Sequence, residues 1–259
     1  TTADDDAVAI NFGTSTTGTR VVDSTAMSTA SKALTLTGSD VVTLTSTNAA
    51  INASSYAGQI DATVTNTVDT NLQIGTANAN VTAKGADASK TLTLNAAANT
   101  ANTLTIVDGG TVAGDIAVTN AKSTVTVADA FTGTGEVKVT TADDDAVAIN
   151  FGTSTTGTRV VDATAMSTAS KALTLTGSDV VTLTSTNAAI DANTYAGQID
   201  ATVTNTVDTS LKIGTANANV TAKGADADKT LTLDATANTA NTLTITDGGE
   251  VAGDIAVTN

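Results

Sequence analysis

The sequence predicts an all-β chain folded as a β-solenoid, a column of stacked coils with roughly 20–25 residues in each coil. Short segments alternate apolar and polar residues, which is the period of a half-buried strand. These segments begin about every 9–12 residues over residues 91–147, as in a chain of regular short strands. The chain contains no Pro, which fits a column whose backbone N–H groups are donated to neighbouring coils nearly everywhere.

The alternating pattern predicts twelve strands before residue 142, separated mostly by Gly, Asn, Asp, Ser and Ala, which favour turns. Residues 24–33 (STAMSTASKA) are the one stretch that could form a helical turn, and we interpret them as a loop because they show no clear capping pattern. The twelve segments are residues 7–12, 19–22, 32–37, 41–46, 59–66, 71–75, 79–85, 90–95, 102–107, 114–120, 123–129 and 135–141.

A string of immunoglobulin-like β-sandwiches is the alternative fold that produces strands at this spacing. Such domains anchor on a buried Trp or Tyr and use Pro at edges and turns. The chain has no Trp, no Pro and only two Tyr. A thin column filled by Val, Ile, Leu and Ala suits this composition better than a wide core filled by aromatic rings.

The chain contains one sequence written twice. Residues 1–120 align without a gap with residues 140–259, and eleven of the 120 positions differ. We therefore divide the chain into a first repeat unit, residues 1–139, and a second, shorter unit, residues 140–259. Nearly all differences exchange small or polar residues, and Val107 is the one alternating apolar position affected. This pattern predicts a varying surface around a constant core. The differing pairs are Ser24/Ala163, Asn52/Asp191, Ser54/Asn193, Ser55/Thr194, Asn71/Ser210, Gln73/Lys212, Ser89/Asp228, Asn95/Asp234, Ala97/Thr236, Val107/Thr246 and Thr111/Glu250.

Composition excludes several classes of function. The net charge of −15, from 26 acidic and 11 basic residues, argues against nucleic acid and anionic membrane surfaces as partners. No apolar run is long enough for a transmembrane helix. Without His or Cys the chain cannot build a Ser–His–Asp triad, a Cys–His pair or a His metal site. We expect no enzyme activity, with a pair of carboxylates acting on a polysaccharide as the one route left open.

Acidic turns are the candidate sites for a cation. Adjacent carboxylates repel one another, and Ca²⁺ offsets such repulsion with oxygen ligands from carboxylates and carbonyls. Solvated turn residues that form Asx-turns are the competing interpretation, and both stay open. The candidate Ca²⁺ ligands are Asp4, Asp5, Asp6, Asp40 and Asp108 in the first unit, and Asp143, Asp144, Asp145, Asp179 and Asp247 in the second.

The two arginines, Arg20 and Arg159, each follow GTSTTGT, and we expect either a pair with a turn aspartate or a solvated position. The five aromatic residues are expected to fill the core or stack at coil edges. They are Phe12, Tyr56, Phe131, Phe151 and Tyr195.

Residues 51–66, INASSYAGQIDATVTN, and their copy IDANTYAGQIDATVTN resemble phrases of bacterial surface-layer proteins and giant repetitive secreted surface proteins. The resemblance extends to the acidic, Cys-free, Ala- and Thr-rich composition of the whole chain. It implies an extracellular, cell-surface location and self-assembly that often depends on Ca²⁺. The glycine-rich nonapeptide of the Ca²⁺ β-roll is missing from this sequence, so its ligand positions cannot be transferred.

These observations predict a structural segment of a large extracellular bacterial protein that forms a surface layer, filament or matrix with copies of itself. The alternative is the stalk of a giant adhesin, and a polysaccharide-active β-helix is the third class. Regular contacts between molecules would favour the surface layer, filament or matrix. Separate domains joined by linkers would favour the adhesin stalk, and a groove of converging carboxylates would favour the polysaccharide-active β-helix.

Overall fold

The computed structural model describes most of the chain, and every strand and contact of the fold lies within that part. The described residues are 6–14, 18–85, 87–110, 112, 114–129, 131–142, 145–153, 157–224, 226–249 and 253–259.

The strands form two sheets of twelve, and each sheet takes every second strand of the chain. The odd sheet contains β1 (Val8–Asn11), β3 (Ala33–Thr37), β5 (Ala50–Asn52), β7 (Thr70–Gln73), β9 (Thr91–Asn95), β11 (Asp115–Ala121), β13 (Val137–Thr141), β15 (Arg159–Ala163), β17 (Val181–Thr186), β19 (Ile199–Asn205), β21 (Ala218–Gly224) and β23 (Leu243–Asp247). The even sheet contains β2 (Thr19–Ser24), β4 (Val41–Thr47), β6 (Ile60–Asn66), β8 (Ala79–Gly85), β10 (Thr103–Asp108), β12 (Thr124–Val127), β14 (Val147–Asn150), β16 (Ala172–Thr176), β18 (Ala189–Asp191), β20 (Thr209–Lys212), β22 (Thr230–Asp234) and β24 (Asp254–Thr258).

Each coil of the chain contributes one strand to each sheet, which makes the fold a β-solenoid, as the sequence predicts. Every strand pair that the structure describes is parallel, and each strand lies on the strand one coil earlier. The separation between paired residues ranges from 17 positions, between Leu34 and Ile51, to 26 positions, between Val8 and Leu34. Coil length is therefore more variable than the expected 20–25 residues.

The alternative of separate β-sandwich domains is wrong, because the stacking continues through the boundary between the repeat units. Strand β13 contains the boundary and pairs with β11 on one side and β15 on the other. Val137 and Val139 of this strand are fully buried. The two units thus share one uninterrupted core.

The core is a narrow column of aliphatic side chains between the two sheets. Inward positions alternate with outward ones along each strand, as in β9, where Leu92 and Leu94 are buried and the three residues around them are half-buried. Val, Leu, Ile and Ala provide most of the buried side chains between the sheets. Tyr56, Tyr195, Phe131 and Phe151 are buried and Phe12 is partly buried against the core, which confirms their predicted role in packing.

Asparagine side chains connect successive coils at one corner. Asn48 has a positive φ of 61°, a conformation that Asn tolerates better than most residues. Its side-chain oxygen accepts a hydrogen bond from the Thr67 amide (2.7 Å), and its side-chain nitrogen donates to the Thr67 hydroxyl (2.9 Å). Asn187 and Thr206 repeat both bonds at the same distances in the second unit. These hydrogen bonds satisfy backbone amides that the turn removes from the sheets.

The alternating pattern predicts the location of twelve of the thirteen strands in the first unit. The thirteenth, β5, has three residues and a single buried side chain, Ile51, so it offers no alternation to detect. Residues 25–32 form turns and irregular backbone, which confirms the loop interpretation for the body of that stretch, and Met27 within this loop is fully buried.

Thirteen strands for each 139-residue advance have a consequence for the geometry of the repeat. Because thirteen is odd, the second unit begins on the opposite sheet: β1 belongs to the odd sheet, whereas its copy β14 belongs to the even sheet. One repeat therefore advances the column by six and a half coils, about 31 Å at the usual strand spacing. Equivalent surfaces of the two units face opposite sides.

The described residues include no helix that is long and apolar enough to cross a membrane.

A proline in a central strand tests the requirement for continuous backbone pairing. Thr63 lies in β6 between β4 and β8, with its side chain on the outer face. Thr63→Pro removes a backbone donor and leaves a partner carbonyl unpaired, so we expect a loss of about 2 kcal/mol or more in the free energy of unfolding.

The matched control is Thr63→Val, which keeps the β-branched shape and the N–H group, and we expect it to stay within about 0.5 kcal/mol of the parent chain. Urea unfolding followed by circular dichroism measures both variants. Equal stability of the two variants would contradict the requirement.

Candidate functional site

Each arginine forms an ion pair with a buried aspartate one coil further along. Arg159 Nε lies 2.7 Å from Asp179 Oδ2, and both side chains are almost completely buried. The equivalent pair, Arg20 and Asp40, has the same contact at 2.6 Å, but 43 % of the Arg20 side chain is exposed. The expectation that each arginine pairs with a turn aspartate is thus confirmed.

A tyrosine and a phenylalanine complete the surroundings of the buried pair. The Tyr195 hydroxyl donates a hydrogen bond to the Asp179 carbonyl oxygen (2.7 Å), as the Tyr56 hydroxyl does to the Asp40 carbonyl (2.6 Å). The Arg159 guanidinium lies 5.3 Å from the centre of the Phe131 ring, within the range of a cation–π contact.

Burial shapes the ionisation of this cluster. Burial raises the pKa of the Asp179 carboxyl, while the charge and hydrogen bond of Arg159 oppose that rise. Burial also raises the pKa of the Tyr195 hydroxyl, and the nearby Asp179 adds to the effect. Tyr195 therefore stays protonated and acts as a hydrogen-bond donor within the core.

The remaining predicted metal ligands lie apart from one another. Asp108 accepts hydrogen bonds from the Gly110 amide (2.8 Å) and from the amide and hydroxyl of Thr132 (2.7 and 2.6 Å). Although burial pushes its pKa up, these bonds lower the pKa overall. Asp247 accepts from the Gly249 amide (2.8 Å), which is the predicted Asx-turn geometry.

Asp145 lies 3.8 Å from Lys122 Nζ, and Asp6 is exposed. Asp4, Asp5, Asp143 and Asp144 lie outside the described residues. Within the described part of the chain, no three acidic residues come together as a metal-binding group. Ca²⁺ binding by the acidic turns stays a prediction.

The sequence differences between the units concentrate on one outer surface. Seven of the eleven positions lie on β18, β20, β22 and the turns that follow β18 and β22, which stack on three successive coils. These seven second-unit residues are Asp191, Asn193, Thr194, Ser210, Lys212, Asp234 and Thr236. Of the ten differing pairs that the structure describes, only Ser24/Ala163 is buried, so the prediction of a surface that varies around a constant core is confirmed for those residues.

Three of the differing residues form a ladder along the column, which we call the charged ladder: Asp191, Lys212 and Asp234. Backbone register places Lys212 beside Asp191 on one side and beside Asp234 on the other. Lys212 Nζ lies 2.9 Å from Asp191 Oδ2. In the first unit the same register stacks Asn52, Gln73 and Asn95, which we call the amide ladder.

The two ladders are alternative solutions to the same packing problem. The amide ladder is a row of uncharged side chains, whereas the charged ladder places one lysine between two carboxylates in register and pairs it with Asp191. A lysine introduced alone in place of Gln73 would have only the uncharged Asn52 and Asn95 as neighbours in the row. The three differences therefore act as one coordinated exchange, and this could not be deduced from the sequence without knowing the register.

The pKa shifts in the charged ladder favour the charged form of each of its three residues. The hydrogen bond and charge of Asp191 raise the pKa of Lys212. The Lys212 hydrogen bond lowers the pKa of Asp191, and hydrogen bonds from Thr236 lower the pKa of Asp234. At neutral pH all three groups stay charged, whereas a general acid or base needs a pKa near the working pH.

A shallow cavity of about 250 Å³ lies beside this ladder. Its lining includes Asn193, Lys212, Asp234 and Thr236, all of which differ from the first unit. Only one carboxylate contributes to it. A second cavity of about 230 Å³ lies near the unit boundary and is lined by Lys122 with mostly small side chains. Neither cavity presents the two converging carboxylates that glycoside hydrolysis uses.

Comparison with protein-family models, curated proteins and solved structures gives no significant match for this chain.

The repeated ion pair allows one substitution to be tested in two environments. Arg159→Ala leaves the buried Asp179 carboxylate without its partner, and we expect a loss of about 3–5 kcal/mol in the free energy of unfolding. Arg20→Ala is the matched control, and we expect a smaller loss because Arg20 is partly solvated already. Equal losses, measured by chemical unfolding at pH 7, would contradict a role for burial.

The pH dependence of the Arg159→Ala variant has a definite sign. Burial raises the pKa of Asp179 and Arg159 opposes the rise, so removing Arg159 raises this pKa further. A raised folded-state pKa contributes stability below the unfolded pKa of 3.8, and this contribution is lost as pH rises through the folded-state value. The variant should therefore lose more stability at pH 7 than near pH 4, and unfolding at both pH values measures the difference.

The charged ladder predicts a steeper loss of stability in acid than the amide ladder. The lowered pKa values of Asp191 and Asp234 contribute stability above the unfolded pKa of 3.8, and this contribution is lost as pH falls through the folded-state values. The triple variant Asp191→Asn, Lys212→Gln, Asp234→Asn should show a shallower fall in Tm between about pH 5 and pH 2.

The reverse triple variant in the first unit, Asn52→Asp, Gln73→Lys, Asn95→Asp, serves as the matched control and should steepen the same profile. Parallel profiles for all three proteins would show that the ladders contribute nothing to acid sensitivity.

Proposed function

We propose that this chain is a rod-forming segment of a large extracellular bacterial protein, which assembles with copies of itself into a surface layer, filament or matrix. The observation that carries the proposal is the uninterrupted parallel stacking of twelve strands in each sheet across both units. Each added coil lengthens such a column without changing its cross-section.

The chemistry of the surface supports a structural role. The cavities are shallow, and the titratable groups beside the larger one are locked as ion pairs or hydrogen-bonded turns. The buried Arg159–Asp179 pair is sealed under Phe131 and is not open to a substrate. The parallel strand pairing that extends the column recurs in every described coil, and this supports a structural role.

The extracellular location rests on the resemblance of residues 51–66 and 190–205 to surface-layer phrases, together with the acidic surface. A net charge of −15 keeps such rods soluble and apart at low ionic strength. Assembly between rods then requires counter-ions or specific contacts, and Ca²⁺ at the acidic turns is the cation that we propose for this purpose.

Solution scattering tests the rod. We expect an elongated particle, and a chain with one further 139-residue unit should be longer by about 31 Å with an unchanged cross-sectional radius. A globular particle, or a cross-section that grows with the added unit, would overturn the proposal.

Antibody labelling of intact cells tests the location. An antibody raised against this chain should label the surface of cells of the source organism without permeabilisation. Labelling only after permeabilisation would contradict an extracellular role, while the scattering experiment would still report on the rod.

A further inference from the structure

One outer surface of the first unit, which we call the threonine face, is made of nine outward residues on β4, β6 and β8. Six of the nine are threonines, and none of the nine is buried. The same surface recurs in the second unit on β17, β19 and β21, where again no member is buried. The nine residues of the first unit are Thr43, Thr45, Thr47, Asp61, Thr63, Thr65, Asn80, Thr82 and Lys84.

The threonine face is accessible to solvent, yet it is identical in the two units. The opposite broad side of the first unit differs more, because four of the seven outward residues on β5, β7 and β9 are not the same as their copies. These four are Asn52, Asn71, Gln73 and Asn95. An accessible surface that stays constant opposite one that changes is expected of a surface in contact with a partner.

A carboxylate is held on this face without a cation beside it. Asp61 Oδ1 accepts hydrogen bonds from the side-chain amides of Gln59 (2.9 Å) and Asn80 (2.7 Å). Asp200 accepts the same two bonds in the second unit, at 2.9 and 2.6 Å. Neither Asp61 nor Lys84, the one cation of the face, forms an ion pair with another described residue. Both charges are therefore available to a partner.

Backbone register places the two charges at opposite edges of the threonine face. Asp61 lies between Thr43 and Asn80 in the row along one edge. Lys84 follows Thr65 in the row along the other edge, one strand further along the column than Asp61. A row of three threonines separates the two edges: Thr45, Thr63 and Thr82.

This arrangement makes the face complementary to itself when two columns lie parallel. A half-turn about the column axis exchanges the two edges, so the aspartate edge of one copy meets the lysine edge of the other. Asp61 then lies one strand spacing, about 4.8 Å, along the axis from Lys84 of the second copy, across sheets about 10 Å apart, which the two side chains can span. With antiparallel columns each edge meets its own copy, and Asp61 has no lysine opposite it.

The chain presents the threonine face on both broad sides, because the first unit carries it on the even sheet and the second unit on the odd sheet. The two faces are related by a half-turn about the axis and an advance of about 31 Å. A neighbour of the same orientation, shifted along the axis by that advance, brings its second-unit face against the first-unit face. The contact can then continue from column to column and form a layer.

We propose that the threonine face is the surface through which copies of this chain bind one another side by side, with their columns parallel. Asp61 of one copy pairs with Lys84 of the next, and the threonine rows pack between these pairs as in a dry contact between two sheets. The ion pairs offset part of the repulsion between acidic copies. This inference rests on the proposed role as a self-assembling rod segment, and it names the surface that joins the rods.

Charge exchange on the face tests the proposal with two variants, each changed in both units. The lysine variant carries Asp61→Lys and Asp200→Lys, and the aspartate variant carries Lys84→Asp and Lys223→Asp. Each variant has one sign of charge at both edges, so we expect its association constant to fall about tenfold or more below that of the parent chain. An equimolar mixture should recover association, because the lysine edges of one variant then meet the aspartate edges of the other.

Sedimentation velocity over a micromolar to millimolar concentration series measures association, and circular dichroism checks that each variant is folded. The matched control for net charge carries Lys32→Asp and Lys171→Asp. These two lysines are exposed and precede β3 and β16, so they lie off the threonine face. The control changes the net charge as much as the aspartate variant does, and it should weaken association far less.

A parent chain that stays monomeric over the concentration series overturns the proposal and leaves the face to a partner other than a second copy. Association that neither variant weakens, or that the mixture fails to recover, overturns it as well, because the contact then lies elsewhere or joins antiparallel columns. The scattering experiment reports on the rod independently, because it measures the shape of the single chain.

Discussion

Backbone hydrogen bonding between coils is the constraint on which the rest of the structure depends. Each coil satisfies most of its N–H and C=O groups on the coils before and after it, and not within itself. A proline anywhere in the stacked strands would interrupt this pairing, and the chain contains none. The inward side chains of this column are mostly Val, Leu, Ile and Ala, with a few buried rings among them.

The near-identical units show how neighbours, and not local sequence, decide what a residue does. Arg20 and Arg159 have the same flanking residues and the same aspartate partner, yet one is 43 % exposed and the other is sealed. The difference comes from residues 121–139, which cover Arg159 and are not adjacent to Arg20. Stability in such a chain is a sum over coils and over the contacts between adjacent coils.

Most of the fold follows from alternation and composition, because inward and outward positions differ in polarity along nearly every strand. The exception is β5, where a single inward residue, Ile51, leaves nothing to alternate. Missing this strand changes the geometry of the repeat, because successive strands alternate between the two sheets. With twelve strands per unit, equivalent strands of the two units would lie in the same sheet, whereas with thirteen they lie in opposite sheets. The arginine pairs could be expected from charge alone. The coordinated exchange at Lys212 could not, because residues 21 or 22 positions apart become neighbours only once the coil lengths are known.

The half-integral number of coils in each repeat determines how the two units are related by symmetry. Two identical units would present indistinguishable flanks, related by a screw operation of half a turn. The exchange of Asn52, Gln73 and Asn95 for Asp191, Lys212 and Asp234 removes that equivalence, since the neutral row lies on the odd sheet and the ionic row on the even sheet. These three substitutions make the two broad sides of the rod chemically different.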